Sequence, residues 1–201
     1  MSLVLQLPEG RGLVDIVQDA SDGSVGGGGV FAFATRRGIE RFFAIPSVSR
    51  MLERGRPFVL VVGTDAITNA EALICIEEHA QRFPALQALA FVHDSPVTFH
   101  PKYCWFAHDD GVNLIVGSGN LTSSGIGGDQ GPPQHIGNWE ALSVRSLQGG
   151  QAEGVQAVIR RWLAESREAG FLLPLSHPRV LERAVANSRV KYVSPHRREQ
   201  R

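Results

Sequence analysis

The sequence predicts an α/β fold, a mixed β-sheet flanked by helices on both faces. Three observations carry that prediction. Short apolar runs alternate with helix-period segments through the first half of the chain, as in parallel strands joined by crossover helices. Apolar runs then follow one another with only turn residues between them, as in an antiparallel meander. Near the end, 151–169 is the strongest helix, with Val155, Val158, Ile159, Trp162 and Leu163 on one stripe.

Taken in order, residues 1–29 mix short apolar pieces with turn residues and end in Gly26-Gly27-Gly28-Gly29, which reads as a flexible connection. The run lacks the lysine and spacing of a phosphate-binding loop. A buried strand is predicted over 30–35 and a helix over 42–54, ended by Gly55. Phe58 to Val62 is wholly apolar and stops at Gly63, as a central strand covered on both faces does. The polar stretch Thr64 to Asn69 offers caps for a helix that places Leu73, Ile76, Ala80 and Phe83 on one face. Strands follow at 88–92, 103–106 and 114–116, the last two joined by the turn Asp109-Asp110-Gly111. A Gly-, Pro- and Gln-rich loop spans 125–137, a strand runs over 140–145, and Pro174 and Pro178 interrupt the chain after the long helix. The main domain is expected over 30–185, with 186–201 as a basic tail or the start of a linker.

The chain has 201 residues, 43% hydrophobic and 20% charged, and a formal net charge of zero. That balance fits one soluble domain and removes the global basic signature of a protein gripping many phosphates. The absence of a signal segment or long apolar run leads us to expect a cytoplasmic protein without membrane association. Cys75 and Cys104 read as two buried thiols. His93, His108 and His135 lack helix-spaced or thiol partners, so neither a metal nor another cofactor is expected. Trp105, Trp139 and Trp162 are read as core residues rather than base-stacking platforms.

Chemistry concentrates between residues 99 and 141. Lys102 is one of only two lysines, against eighteen arginines, and a compact ammonium suits a phosphate oxygen as a point charge. In an extended segment His100 and Lys102 point to the same side. Histidine offers a nucleophile or an acid and base near neutral pH. Gly117-Ser118-Gly119-Asn120 follows an apolar strand and opens a small-residue turn of the kind that aims donors at an oxyanion. Asn120 would donate to phosphate oxygen, with Thr122 beside it; Ser118 would do the same or brace the histidine. Glu140, after Asn138 and Trp139, is expected to accept from Nδ1 of His100 and fix its tautomer.

The set His100-x-Lys102, Gly117-Ser118-x-Asn120 and Asn138-x-Glu140 resembles the phospholipase D superfamily of phosphodiesterases. Phe99-His100-Pro101-Lys102, with Gly117 to Gly125, is most similar to its branch of metal-independent restriction endonucleases and helicase-associated nuclease domains. Phe31 to Thr35 and Val62 to Asp65 sit where that branch has its first strands. The resemblance covers roughly 30–145. It departs at Ala107, where the superfamily often has an aspartate.

The resemblance implies a phospholipase D-like α-β-α sandwich and metal-free hydrolysis through a phosphohistidine on His100. Lys102, Asn120 and Ser118 would hold the nonbridging oxygens. It also implies two His-x-Lys motifs per active centre, and this chain has one. One catalytic half per chain and a homodimer sharing the site are therefore expected. DNA is the expected substrate, in bacterial restriction or phage defence, with a helicase or DNA-recognition partner. Hydrolysis of a phospholipid or other small phosphodiester is the alternative. A catalytically silent nucleic-acid-binding or dimerisation module ranks third.

Overall fold

The computed structural model describes residues 2–6, 11–127 and 137–189. Its strands are β1 (Ser2–Gln6), β2 (Gly26–Phe31), β3 (Phe58–Gly63), β4 (Leu86–Phe91), β5 (Lys102–His108), β6 (Gly111–Gly117), β7 (Glu140–Gln148) and β8 (Leu172–Pro174). The helices are α1 (Leu13–Ser21), α2 (Arg36–Phe43), α3 (Pro46–Glu53), α4 (Ala70–Arg82), α5 (Ser123–Ile126), α6 (Gly149–Glu168) and α7 (Pro178–Arg189). One sheet holds all eight strands in the order β1-β7-β6-β5-β2-β3-β4-β8. β2, β3 and β4 run parallel, and the remaining neighbours are antiparallel. This is the predicted mixed sheet with helices on both faces.

Period-2 alternation sorts the strands between two cores. Leu60, Val62, Cys104 and Phe106 join helices α1 to α5 and α7 on one face. Val61, Trp105 and Val112 meet α6 residues Ala152, Ile159 and Leu163 on the other. Both cysteines are buried, and burial pushes the Cys104 thiol up to about 12.

Three local expectations need correction. The glycine run is no connection: 26–29 form most of β2, paired with β3 and β5 in mid-sheet, and α1 before it contributes Leu13, Ile16 and Val17 to the core. The glycines serve close approach, since a Cβ on Gly28 would stand 2.3 Å from the buried Trp105 ring. The strand expected over 30–35 accordingly begins and ends earlier. The helix expected over 42–54 is two helices. Thr35 caps α2 by accepting from Gly38 N, and Pro46, which has no N–H to give, starts α3. Pro178 likewise opens α7 rather than breaking a helix.

The other elements stand close to their predicted places, with Asn69 capping α4 as the polar stretch suggested. The expected basic tail enters α7 up to Arg189, while 190–201, and 128–136 of the Gly-rich loop including His135, lie outside the described residues. Among the described residues, no helix is long and apolar enough to cross a membrane.

Candidate active site

Antiparallel pairing gathers the predicted residues at one end of the sheet. β2 and β6 finish where β5 and β7 begin, with Lys102 opposite Phe31 and Gly117 opposite Leu142. His100 and Lys102 enter from the start of β5, Ser118 and Asn120 leave β6, and Glu140 opens β7.

His100 is exposed and Lys102 is buried, with 9% of its surface accessible. The Lys102 ammonium lies 2.8 Å from Nδ1 and 3.0 Å from Nε2 of His100, and donates to the His100 carbonyl at 3.0 Å. Burial lowers the Lys102 pKa, while the charge on Glu140 favours the ammonium. The Phe33 ring meets the imidazole edge-on at 5.9 Å.

Asn120 Oδ1 accepts from the Phe33 backbone N–H at 3.2 Å. With its oxygen so engaged, the amide presents its NH2 group, which has no partner among the described residues. The turn carrying it is stitched to the end of β2: Leu121 N–H donates to Phe33 O at 3.0 Å and Thr35 N–H to Leu121 O at 2.9 Å. Gly38 lets α2 close over this turn, because a Cβ there would stand 2.1 Å from Leu121 O. Phe33 was not singled out in the sequence, where it reads as one more apolar residue inside the strand predicted over 30–35; the structure places it just past the end of β2.

Three predicted contacts differ. Glu140 accepts from the Ser118 hydroxyl and from Asn138 Nδ2 at 3.2 Å, not from His100. Its carboxylate therefore supports the ammonium of Lys102 rather than the histidine tautomer. Ser118 also accepts from Ala141 N–H at 3.0 Å, so its hydroxyl braces Glu140 rather than His100. Thr122 caps α5 by accepting from Gly125 N–H at 3.1 Å, a structural use of the hydroxyl expected on substrate.

His108 bonds to Ala20 O at 3.0 Å and lies 3.1 Å from the Asn113 amide, while His93 pairs with Asp65 at 3.1 Å. No group of three or more metal-ligating side chains occurs among the described residues. Trp105 is core as predicted, but Trp139 is 75% exposed beside Glu140. On the opposite face from His100, Phe99, Pro101 and Tyr103 line an apolar groove of about 510 Å³ with Val116, Val158 and Trp162 of β6 and α6. Burial pushes the Tyr103 hydroxyl up to about 12.

The sequence matches no protein-family model and no curated protein. Among solved structures, the fold resembles phosphatidylserine synthase from Haemophilus influenzae Rd KW20, with a TM-score of 0.53 and 14% identity over 88% of this chain and 40% of the synthase. Yeast tyrosyl-DNA phosphodiesterase follows with a TM-score of 0.45 and 15% identity over 73% of this chain and 32% of that one. The polyphosphate kinase of Porphyromonas gingivalis gives 0.43 and 12% over 70% and 22%. The chain thus spans less than half of the synthase whose architecture it shares.

Proposed function

We propose that this chain is one half of a metal-independent phosphodiesterase of phospholipase D type, a DNA nuclease of bacterial restriction or phage defence, completed by a second copy of itself. The observation that carries the reading is the exposed His100 imidazole with the Lys102 ammonium 2.8 Å away, at the sheet end where Asn120 presents its NH2 group.

A ring nitrogen of His100 attacks phosphorus, and the bond from phosphorus to the leaving oxygen breaks. His100 of the second copy gives that oxygen its proton and then accepts one from water. The water oxygen attacks phosphorus, the phosphorus–nitrogen bond breaks, and a phosphomonoester leaves with His100 restored. Lys102 and Asn120 hold the nonbridging oxygens and stabilise the charge that develops on them. An arriving phosphate replaces the imidazole as the partner of the ammonium, which frees the nucleophile as substrate binds. Sharing one centre across a two-fold axis fits the single His-x-Lys motif.

A second reading, hydrolysis of a phospholipid, is favoured by the apolar groove whose wall includes both neighbours of His100, Phe99 and Pro101. Plasmid DNA incubated with the full chain in EDTA, beside phosphatidylcholine vesicles assayed for released headgroup, separates the two. Nicking is expected for the wild type and its loss by about a thousandfold or more in His100→Ala. Undiminished nicking by that variant would overturn the mechanism. Mixing wild type with excess His100→Ala is expected to lower activity more steeply than dilution if the site is shared.

A further inference from the structure

Residues 92–101 connect β4 to β5 without regular structure, and 94–98 are all exposed. His100 is at the end of this stretch and is itself exposed. A reactive group on such a segment has to be held to about 0.5 Å for efficient chemistry. Lys102 secures the His100 carbonyl from the β5 side. On the other side, Phe99 N–H donates to Asp65 Oδ2 at 2.7 Å, the one bond from a backbone N–H of 94–101 to a group outside that segment among the described residues.

Asp65 leaves the end of β3 and caps nothing; Asn69 caps α4. Its Oδ2 also meets His93 Nε2 at 3.1 Å. The His93 side chain is 9% exposed and its Nδ1 is buried without a partner among the described residues, where the contact with Asp65 is the single polar tie of that ring. The ring packs edge-on to Phe91 at 5.7 Å, and the His93 carbonyl accepts from Arg183 at 3.0 Å. A fixed imidazole thus orients a carboxylate whose oxygen is presented to Phe99 N–H. The Phe99 ring in turn stacks on Phe91 at 3.9 Å, in a space that a Cβ on Gly63 would enter at 2.8 Å.

We infer that Asp65, oriented by His93, is the positioning residue that sets the place of His100. The inference rests on the role proposed for His100, but its main test does not need activity. The full chain with ¹⁵N-labelled histidine rings reports the His100 imidazole by NMR in the wild type, Asp65→Ala, Asp65→Asn and His93→Phe. Asp65→Ala is expected to shift and broaden the His100 ring signals. Asp65→Asn, which still offers an oxygen to Phe99 N–H, is expected to restore them. His93→Phe, which keeps the ring packing on Phe91, is expected to produce the same shift in weaker form. It decides the question if Asp65→Ala does not fold.

Unaltered His100 signals in Asp65→Ala, or in His93→Phe where that variant alone is soluble, overturn the assignment. So does equal disturbance by Ala and Asn at position 65, which marks general damage rather than a lost acceptor. If the wild type cleaves a phosphodiester, Asp65→Ala is expected to lower kcat about ten- to a hundredfold with KM kept, and Asp65→Asn to recover most of it. A wild type without cleavage removes the proposed function and leaves the NMR result to decide the positioning role alone.

Discussion

The two faces of the sheet are built to different standards. Six of the described helices pack on one face, and the side chains there form a continuous core that includes Phe31, Phe42, Phe58, Phe106 and Leu121, all at or below 1% exposure. Among the described residues α6 alone covers the other face, where Val116 and Val158 remain 47% and 56% exposed around the groove. The strand entering β5 divides its residues between them. Phe99, Pro101 and Tyr103 line the groove, while His100 and Lys102 alternate with them. The polar constellation thus stands over the crowded face, where backbone and side chains have few alternatives, and the sparse face leaves apolar surface open beside it.

Two substitutions test that contrast most strongly. Leu121 is fully buried between Asn120 and Thr122, so Leu121→Ala is expected to lower unfolding free energy by about 2–5 kcal/mol. Val158→Ser on the sparse face is expected to stay within about 0.5 kcal/mol of wild type. Urea unfolding measures both. A loss below about 1 kcal/mol for Leu121→Ala would mean that the turn carrying Asn120 can relax, so that the crowded face is no firmer than the sparse one where it carries the site.

Lys102 and Tyr103 set the same contrast one residue apart. Lys102→Arg keeps the charge but puts a planar fork where a point ammonium reaches the imidazole and the His100 carbonyl from a site 9% exposed. For the proposed phosphodiester cleavage a fall of about a hundredfold in rate is expected, because the larger head group would misplace the charge. Tyr103→Phe faces the groove and is expected to leave the rate almost unchanged. Equal rates in wild type and Lys102→Arg would show that any cation serves at this position.

Much of this arrangement was legible in the sequence where one signal governs one element. Wholly apolar β3 and periodic α4 and α6 announce themselves, and so does the β5–β6 hairpin with its Asp-Asp-Gly turn. The residues His100, Lys102, Ser118, Asn120 and Glu140 do meet at one end of the sheet. Their individual contacts were not legible, because they depend on which groups the folded backbone brings within reach. Glu140 finds Ser118 and Asn138 within its own strand pair and the preceding loop, and that proximity leaves His100 without it. The glycines of β2 were misread because their reason is the Trp105 ring, some 77 residues away in sequence from Gly28 and adjacent in space. Asp65 is separated from Phe99 by 34 residues and from His93 by 28, beyond any local pattern.

The smallest expected effect tests whether the crowded face tolerates charge. His79 of α4 lies between Phe43, at 4.6 Å, and Phe83, at 6.3 Å, and its Nδ1 is buried without a partner among the described residues. Burial lowers its pKa, and the neighbouring Arg82 lowers it further. The unfolded chain, with an ordinary histidine near pH 6.5, therefore takes up this proton before the folded one does. Above that pH both states are neutral at His79 and the residue adds no slope. As pH falls below about 6.5, unfolding binds a proton, and stability declines until the lowered folded pKa is passed. His79→Leu removes the titrating group and keeps an apolar side chain between the two rings. Urea midpoints measured from pH 7.5 down to pH 5 are expected to fall more steeply for wild type than for the variant, the common slope from carboxylates cancelling in the difference. Parallel curves would mean that the His79 ring reaches water when protonated, and that the crowded face opens more readily than its packing implies.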